Sequence, residues 1–178
     1  MIYADAFLEE QERRYQLWLE KAGPLLAAAK WREAFKDYPF ITTANPPLTP
    51  LDKELNQSKL ALISSGGFYI KGQAPFDTGD VTGDYSYREL PKEFDRDEVG
   101  IAHDHYPHKY AKEDINCLLP VDRLSELERQ GVIGSLASPL YSISGYIPNA
   151  VPFIRETAAE IASKLVAGQV DGVLLVPA

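Results

Sequence analysis

Residues 59–67 read Lys-Leu-Ala-Leu-Ile-Ser-Ser-Gly-Gly. A short apolar run that ends in small polar residues and two glycines suits a buried parallel strand with a loop at its carboxyl end. Two more runs have this form: Val99–Ala102, which leads into His103, and Asp171–Ala178, a turn and a buried strand. Helical patterns lie between them. Over 120–131, Leu124 and Leu127 face inward, Asp122 caps or complements the N-terminus, and Gly131 stands just past the end. From Asn149 or Ala150 a second pattern begins, with Pro152 in its first turn, Ile154, Ala158, Ile161 and Leu165 on one face, and Gly168 as its stop. Helix alternating with apolar strand predicts right-handed βαβ units. The expected fold is α/β, doubly wound, with a mostly parallel sheet covered by helices in the Rossmann or flavodoxin manner. Ligands bind outside the carboxyl ends of such strands. Ser64–Gly67, His103–His108 and the end of the last strand are therefore expected on one rim. Gly66-Gly67 lacks dinucleotide-fingerprint spacing and no P-loop lysine follows, which favours a plain tight turn over a phosphate cradle.

Residues 1–58 read as an irregular N-terminal helical segment with a Pro-rich connector, and 59–178 as the α/β domain. Phe7, Leu8, Tyr15, Trp18, Leu19, Ala22, Leu25 and Leu26 recur at helical spacing, with Asp5 as the expected N-cap. Gly23-Pro24 is expected to break or kink this helix before Leu25–Trp31. Trp18 and Trp31 could form a partner-binding stripe, but core packing is the favoured expectation. Tyr38–Pro50 holds four prolines, and Thr49–Asp52 is expected to start a short turn or helix.

A chain of 178 residues, 45% hydrophobic, fits one domain with a substantial core. Its net charge of −8 argues against a nucleic-acid backbone or an anionic membrane as the main partner. The single cysteine cannot form an internal disulfide, which suits a reducing compartment. The N-terminus lacks a signal-peptide pattern, and no apolar run approaches the ~20 residues of a spanning helix. A cytoplasmic protein is expected.

The chemistry concentrates in His103–Cys117, where all three histidines and the only cysteine fall. In an extended segment His103 and His105 share a face and Asp104 points the other way. They suit general acid–base work with Asp104 or Asp114 as orienter, while Asp114 and Asn116 could hold a substrate. His103-x-His105 with His108 could ligate a metal, but the spacing matches no established motif. Cys117 could be a nucleophile, although its apolar neighbours suit a small core residue. In the long loop 72–91, Arg88 is the obvious anchor for a carboxylate, through two parallel hydrogen bonds, or else pairs locally with Asp84 or Glu89. Ser142, Ser144 and Gly145 would let a substrate approach the backbone closely. Acid–base site, metal site, cysteine nucleophile and a polar network that locks a loop all stay open on the residues alone.

Six segments occur in order: Phe68–Asp77 (FYIKGQAPFD), Tyr87–Pro91 (YRELP), His103–Tyr106 (HDHY), Asp114–Leu124 (DINCLLPVDRL), Gly131–Gly134 (GVIG) and Tyr141–Ile147 (YSISGYI). From about Leu60 onward the ordered set resembles the selenoprotein B family of glycine, sarcosine, betaine and D-proline reductases, above all the short selenocysteine-bearing subunit type of D-proline reductases. The resemblance implies reductive cleavage of a C–N bond in a small amino acid. It implies selenocysteine, or cysteine, as the attacking nucleophile, a pyruvoyl group on a partner subunit that activates the substrate amine, and a dithiol or thioredoxin-like electron donor. In this family a strand like Val170–Ala178 runs directly into the redox motif. The principal redox residue is therefore expected just after Ala178, at a UGA codon read as a stop, with Cys117 a lesser redox candidate. His103, His105 and Asp104 would then be the acid–base half of the site, with no metal, and Arg88, Asp114, Asn116, Ser142 and Ser144 its substrate-binding groups. Two other readings remain: a non-redox binding or assembly module complete at Ala178, and a His-metal hydrolase.

Overall fold

A computed structural model describes residues 4–43 and 49–178. Helix α1 spans Asp5–Ala27 and α2 spans Trp31–Ala34, followed by a 3-10 turn at Phe35–Asp37. The apolar stripe of α1 is buried as its periodicity predicts: Leu8, Tyr15, Trp18, Ala22 and Leu26. Tyr15, Trp18, Ala22, Leu26 and Ala34 form an apolar cluster of their own, and Trp18 Nε1 donates to the Ala34 carbonyl at 2.8 Å. Three expectations change here. The N-cap is Ala4, with no side-chain cap, rather than Asp5. Pro24 does not break the helix but sits in the last turn of α1. There it forfeits one backbone bond, its fixed φ suits the helix, and the chain reverses only at Ala29, φ 55°. Trp31 is 41% exposed and lies outside the core. Pro46 and Pro47 of the connector lie outside the described residues. Thr49–Asp52 forms no helix, and the turn comes at Leu55–Gln57.

The α/β part contains strands β1 (Lys59–Ser64), β2 (Phe68–Ile70), β3 (Tyr87–Leu90) and β4 (Val99–Ile101), then helices α3 (Lys109–Glu113) and α4 (Val121–Arg129). Strands β5 (Ser135–Leu136) and β6 (Leu140–Ile143) follow, then α5 (Ala150–Pro152), a π turn at Phe153–Thr157, α6 (Ala158–Ala167) and β7 (Gly172–Val176). Central β1 is parallel to β5, β6 and β7. Strand β7 pairs with β1 from Leu60↔Gly172 to Ser64↔Val176, while β5 and then β6 pair with the two ends of β1. Strand β3 adds antiparallel to β6. The result is a mixed, mostly parallel five-stranded sheet with helices, the α/β class. Leu62, Phe68, Leu90, Leu119, Val121 and Leu140, each at most 1% exposed, form its core.

The helix ends follow local chemistry. Asn149 caps α5 by accepting the Val151 N–H, and Gly131, φ 69°, turns the chain after α4. Asp122 lies in the first turn of α4 without capping it, and the left-handed residue after α6 is Gln169 rather than Gly168. Two strands depart from expectation. Strand β4 is not in the main sheet but pairs antiparallel with β2 in a separate ribbon, Phe68↔Ile101 to Ile70↔Val99. Strand β7 is not buried. It pairs only with β1 among the described residues, and Val173, Leu174 and Leu175 stay 45%, 40% and 68% exposed.

Candidate active site

The carboxyl ends of β1, β6 and β7 are tied together by Ser64–Gly67. Ser65 N–H donates to Val176 O at 3.0 Å, and Ser65 Oγ accepts the Ala178 N–H at 2.9 Å. Gly67 N–H donates to Ile143 O at 3.1 Å, and the Gly66 N–H goes to Ser64 Oγ at 3.1 Å. With these amides paired, the glycine pair is a turn and not an anion cradle. Gly67 has φ +68°, and a Cβ there would lie 2.3 Å from the Ala102 carbonyl oxygen. Glycine thus lets the chain leaving β4 press against the rim and deliver His103 there from the side ribbon.

His103 is 5% exposed. Its Nδ1 accepts the backbone N–H of His105 at 3.1 Å, so the proton of the neutral ring resides on Nε2. That Nε2 is buried and has no hydrogen-bond partner among the described residues. It lies under Gly145, where a Cβ would stand 2.3 Å from Nε2 and 3.0 Å from Ser65 O. Burial holds the His103 pKa below its ordinary value, His105 and His108 push the same way, and Asp104 opposes them. The Tyr106 ring packs 4.6 Å from His103 and its hydroxyl donates to Gly66 O at 2.8 Å. Burial, with a smaller contribution from Cys117, pushes the Tyr106 hydroxyl up to about 12. A ring nitrogen of His108, Nε2, meets the His103 carbonyl.

His103 and His105 do come together, with ring centroids 5.8 Å apart, although the segment is bent rather than extended. His105 is exposed, with Tyr146 at 4.6 Å and Trp31 edge-on at 5.5 Å. Asp104 is exposed and does not orient the imidazole, since a backbone N–H holds Nδ1. Among the described residues no three His, Cys, Asp or Glu side chains converge as metal ligands.

The other candidates are engaged in the framework. Ser142 Oγ is buried and accepts the Phe68 N–H at 2.8 Å. Ser144 Oγ accepts the Tyr146 N–H at 3.2 Å and donates to Tyr146 O at 3.3 Å. The Arg88 fork, expected either to anchor a carboxylate or to pair locally with Asp84 or Glu89, ties down its own loop and reaches Asp84. Nε donates to Ala74 O at 2.7 Å, the two terminal nitrogens reach Ser86 Oγ, Tyr87 O and Pro75 O, Asp84 lies at 3.9 Å, and the Phe76 ring lies 4.2 Å beneath. Asp114 caps the turn at Asn116 by accepting its N–H at 2.9 Å. Asn116 exchanges bonds with Asp122, which also pairs with Arg96. These groups line an open cavity of about 500 Å³ beside β4 and α3, with none of the three histidines in its wall. Cys117 is exposed, contrary to its apolar neighbours in sequence. The structure thus separates the expected site into a histidine rim and an Asp114–Asn116–Asp122 cavity. Residues missed by sequence reasoning are Trp31, Tyr106 and Tyr146. No local pattern marks Trp31, because its partner His105 is distant in sequence.

The profile of the family described as glycine/sarcosine/betaine reductase selenoprotein B matches residues 10–178, so the likeness begins in α1 and not near Leu60. The D-proline reductase subunit gamma of Acetoanaerobium sticklandii is 31% identical over 137 residues, 76% of this chain and 55% of that protein. The glycine reductase complex component B subunit gamma of Symbiobacterium thermophilum is 34% identical over 142 residues, 78% of this chain and 33% of that protein. A sarcosine reductase complex component B subunit beta of Peptoclostridium acidaminophilum is 29% identical over 136 residues, 71% of this chain and 30% of that protein. The chain therefore spans about half of the first relative's length and a third of the others'. No solved structure matches it. With a match to the family profile over nearly all its residues, the chain belongs to the glycine/sarcosine/betaine reductase selenoprotein B family.

Proposed function

We propose that this chain is a subunit of a cytoplasmic amino-acid reductase complex. It cleaves the C–N bond of a small amino acid of the D-proline, glycine or N-methylated glycine type. Two electrons from a dithiol or thioredoxin-like donor replace the bond to nitrogen with a bond to hydrogen. A selenocysteine or cysteine following β7 supplies a low-pKa nucleophile, and a pyruvoyl group on a partner subunit supplies a carbonyl for the substrate amine. The observation that carries this reading is the seat of β7. Its carboxyl end is hydrogen-bonded to Ser65, and Ser65 O and His103 Nε2 both flank Gly145. A nucleophile borne just past that end enters the histidine rim directly. The exposed Val173–Leu175 also suits a strand that further polypeptide covers in the working protein.

In this reading exposed His105 gives a proton to the departing amine, and Asp104 biases the local charge. Arg88 acts through the loop it holds. Asp114 and Asn116 shape the cavity beside α3. Cys117 and Ser144 are not assigned chemistry. The N-terminal helices α1 and α2 serve to bring Trp31 against His105 and Tyr146 of the 59–178 domain.

The test is an assembled complex made from the complete reading frame and its neighbouring pyruvoyl-forming subunit. With dithiothreitol as donor, release of amine or of a ring-opened product is measured from D-proline, glycine, sarcosine and betaine. Turnover of one of them is expected. A properly assembled complex that reduces none would overturn the reading.

A further inference from the structure

We propose that His103 is a fixed neutral hydrogen-bond donor whose Nε2–H receives an anion at the rim, and that it is not a proton shuttle. This rests on the rim being the reductase site. The imidazole is held on every side by groups that leave one role open. The His105 N–H points at Nδ1, so an imidazolium would set N–H against N–H. His108 Nε2 meets the His103 carbonyl and Tyr106 packs on the ring, fixing the loop that carries it. The titratable groups facing the ring are His105, Tyr106, His108 and Asp104 of its own loop, and across from it Gly145 and Ser65 bring only backbone. What remains is a buried donor with no acceptor among the described residues. An unmet buried donor is costly unless a partner arrives. Gly145 supplies the approach, because it has no side chain to cover Nε2 and is itself exposed. Ser65, which borders the same point at Gly145, is bonded to the carboxyl end of β7, so an anion that reaches Nε2–H past Gly145 does so on the β7 side. The acceptor class is a small anion: a substrate carboxylate or a thiolate- or selenolate-type group.

Nitrogen-15 NMR of the imidazoles in the 178-residue protein tests the donor state without any substitution. The proposal expects the Nε2–H tautomer of His103 from about pH 6 to pH 8, whereas a ring that becomes cationic in this range overturns it. Titration with sodium acetate and, separately, with sodium hydrosulfide distinguishes the acceptors. Movement of the His103 Nε2 signal with acetate assigns the carboxylate, with hydrosulfide the chalcogenide, and with neither refutes the anion site. In the assembled complex, His103→Gln keeps an N–H at the Nε2 position and is expected to retain turnover within about tenfold, whereas His103→Ala loses about 100-fold or more. Equal losses in both, with disappearance of a limb from the pH profile, would establish proton transfer instead. A wild-type complex inactive toward every amino acid would undo the reductase reading while the NMR result still decides the donor state.

Discussion

Trp31 stands edge-on to His105, ring centroids 5.5 Å apart and planes at 82°, although 74 positions separate them. The contact carries the N-terminal helices onto the histidine rim. Trp31 also meets Tyr146 at 6.2 Å, and Tyr146 packs against His105 at 4.6 Å, so His105 sits between two aromatic rings. Because Trp31 is 41% exposed and outside the apolar cluster of α1, Trp31→Ala should leave stability within about 1 kcal/mol of wild type. Turnover of the assembled complex should fall roughly tenfold or more, since a misplaced His105 loses its orientation. Thermal melts beside steady-state rates decide it, and a normal rate would make the aromatic contact merely a docking surface.

Gly145 admits no side chain without contact with the His103 ring, the hypothetical Cβ lying 2.3 Å from Nε2. Gly145→Ala must displace the loop or the imidazole, at a cost of about 1–3 kcal/mol. The expected result is a shifted His103 imidazole resonance together with a turnover loss of about 100-fold. An unshifted resonance would mean that the loop moves freely and that Nε2 is not confined by it.

Arg88 gathers the 73–86 loop through carbonyls of Ala74, Pro75 and Tyr87 and through the Ser86 hydroxyl. Burial alone would raise the Asp84 pKa, but hydrogen bonds from Ser86 and the Asp77 backbone, with the Arg88 charge, hold it low. Lysine keeps the charge but not the planar fork. Arg88→Lys should therefore speed amide exchange across 74–86 by roughly tenfold, the equivalent of losing about one net hydrogen bond, while the α4 amides stay protected. A variant that exchanges like wild type but no longer binds substrate would restore Arg88 to the carboxylate-anchor role.

What was legible in the chain was what local pattern dictates. The apolar runs at 59–64 and 172–176 are parallel neighbours, and the 3.6-residue stripe of α1 is the buried one. Asn149 and Gly131 mark helix ends through their own backbone chemistry. The misreadings share a cause, which is that distant partners decided them. Three residues of β4 cannot specify an antiparallel ribbon, and the close approach of Gly67 to Ala102 does. Arg88 looks like a free anchor until Ala74 and Pro75 fold back to it. Cys117 has apolar sequence neighbours, yet the 3-10 turn from Ile115 rotates it outward. For His103, the pattern marked the residue but not its tautomer, which follows from one backbone N–H two positions on.

Asn116 is the hinge of a compact polar network: its Nδ2 donates to Asp114 at 2.8 Å and Asp122 at 2.9 Å, and its Oδ1 accepts the Asp122 N–H at 3.0 Å. That last bond satisfies an amide at the start of α4. Asn116→Ala strands the Asp122 amide and should cost about 1–3 kcal/mol. Asn116→Asp puts a third carboxylate beside two and should be worse at neutral pH than in mild acid. Urea melts of both variants measure this. Wild-type stability in Asn116→Ala would move the role of this side chain from framework to ligand.

The buried neutral state of His103 has a thermodynamic signature. Its pKa is depressed by burial first, below the ordinary 6.5, whereas the unfolded chain titrates near that value. As pH falls through about 6.5 the unfolded state therefore gains a proton that the native state does not, and stability declines until the folded pKa is reached. Above about 6.5 both states are neutral and this contribution is fully present. Asp84 and Asp122 are depressed as well, but from an ordinary 3.8, so their losses come at more acid pH and do not overlap. His103→Gln should accordingly remove part of the fall in melting temperature between about pH 7.5 and pH 5 while leaving the steeper fall below about pH 4 intact. An unchanged slope across the upper window would show that His103 takes up its proton at the same pH folded and unfolded, so that neither burial nor the His105 N–H on its Nδ1 holds it neutral.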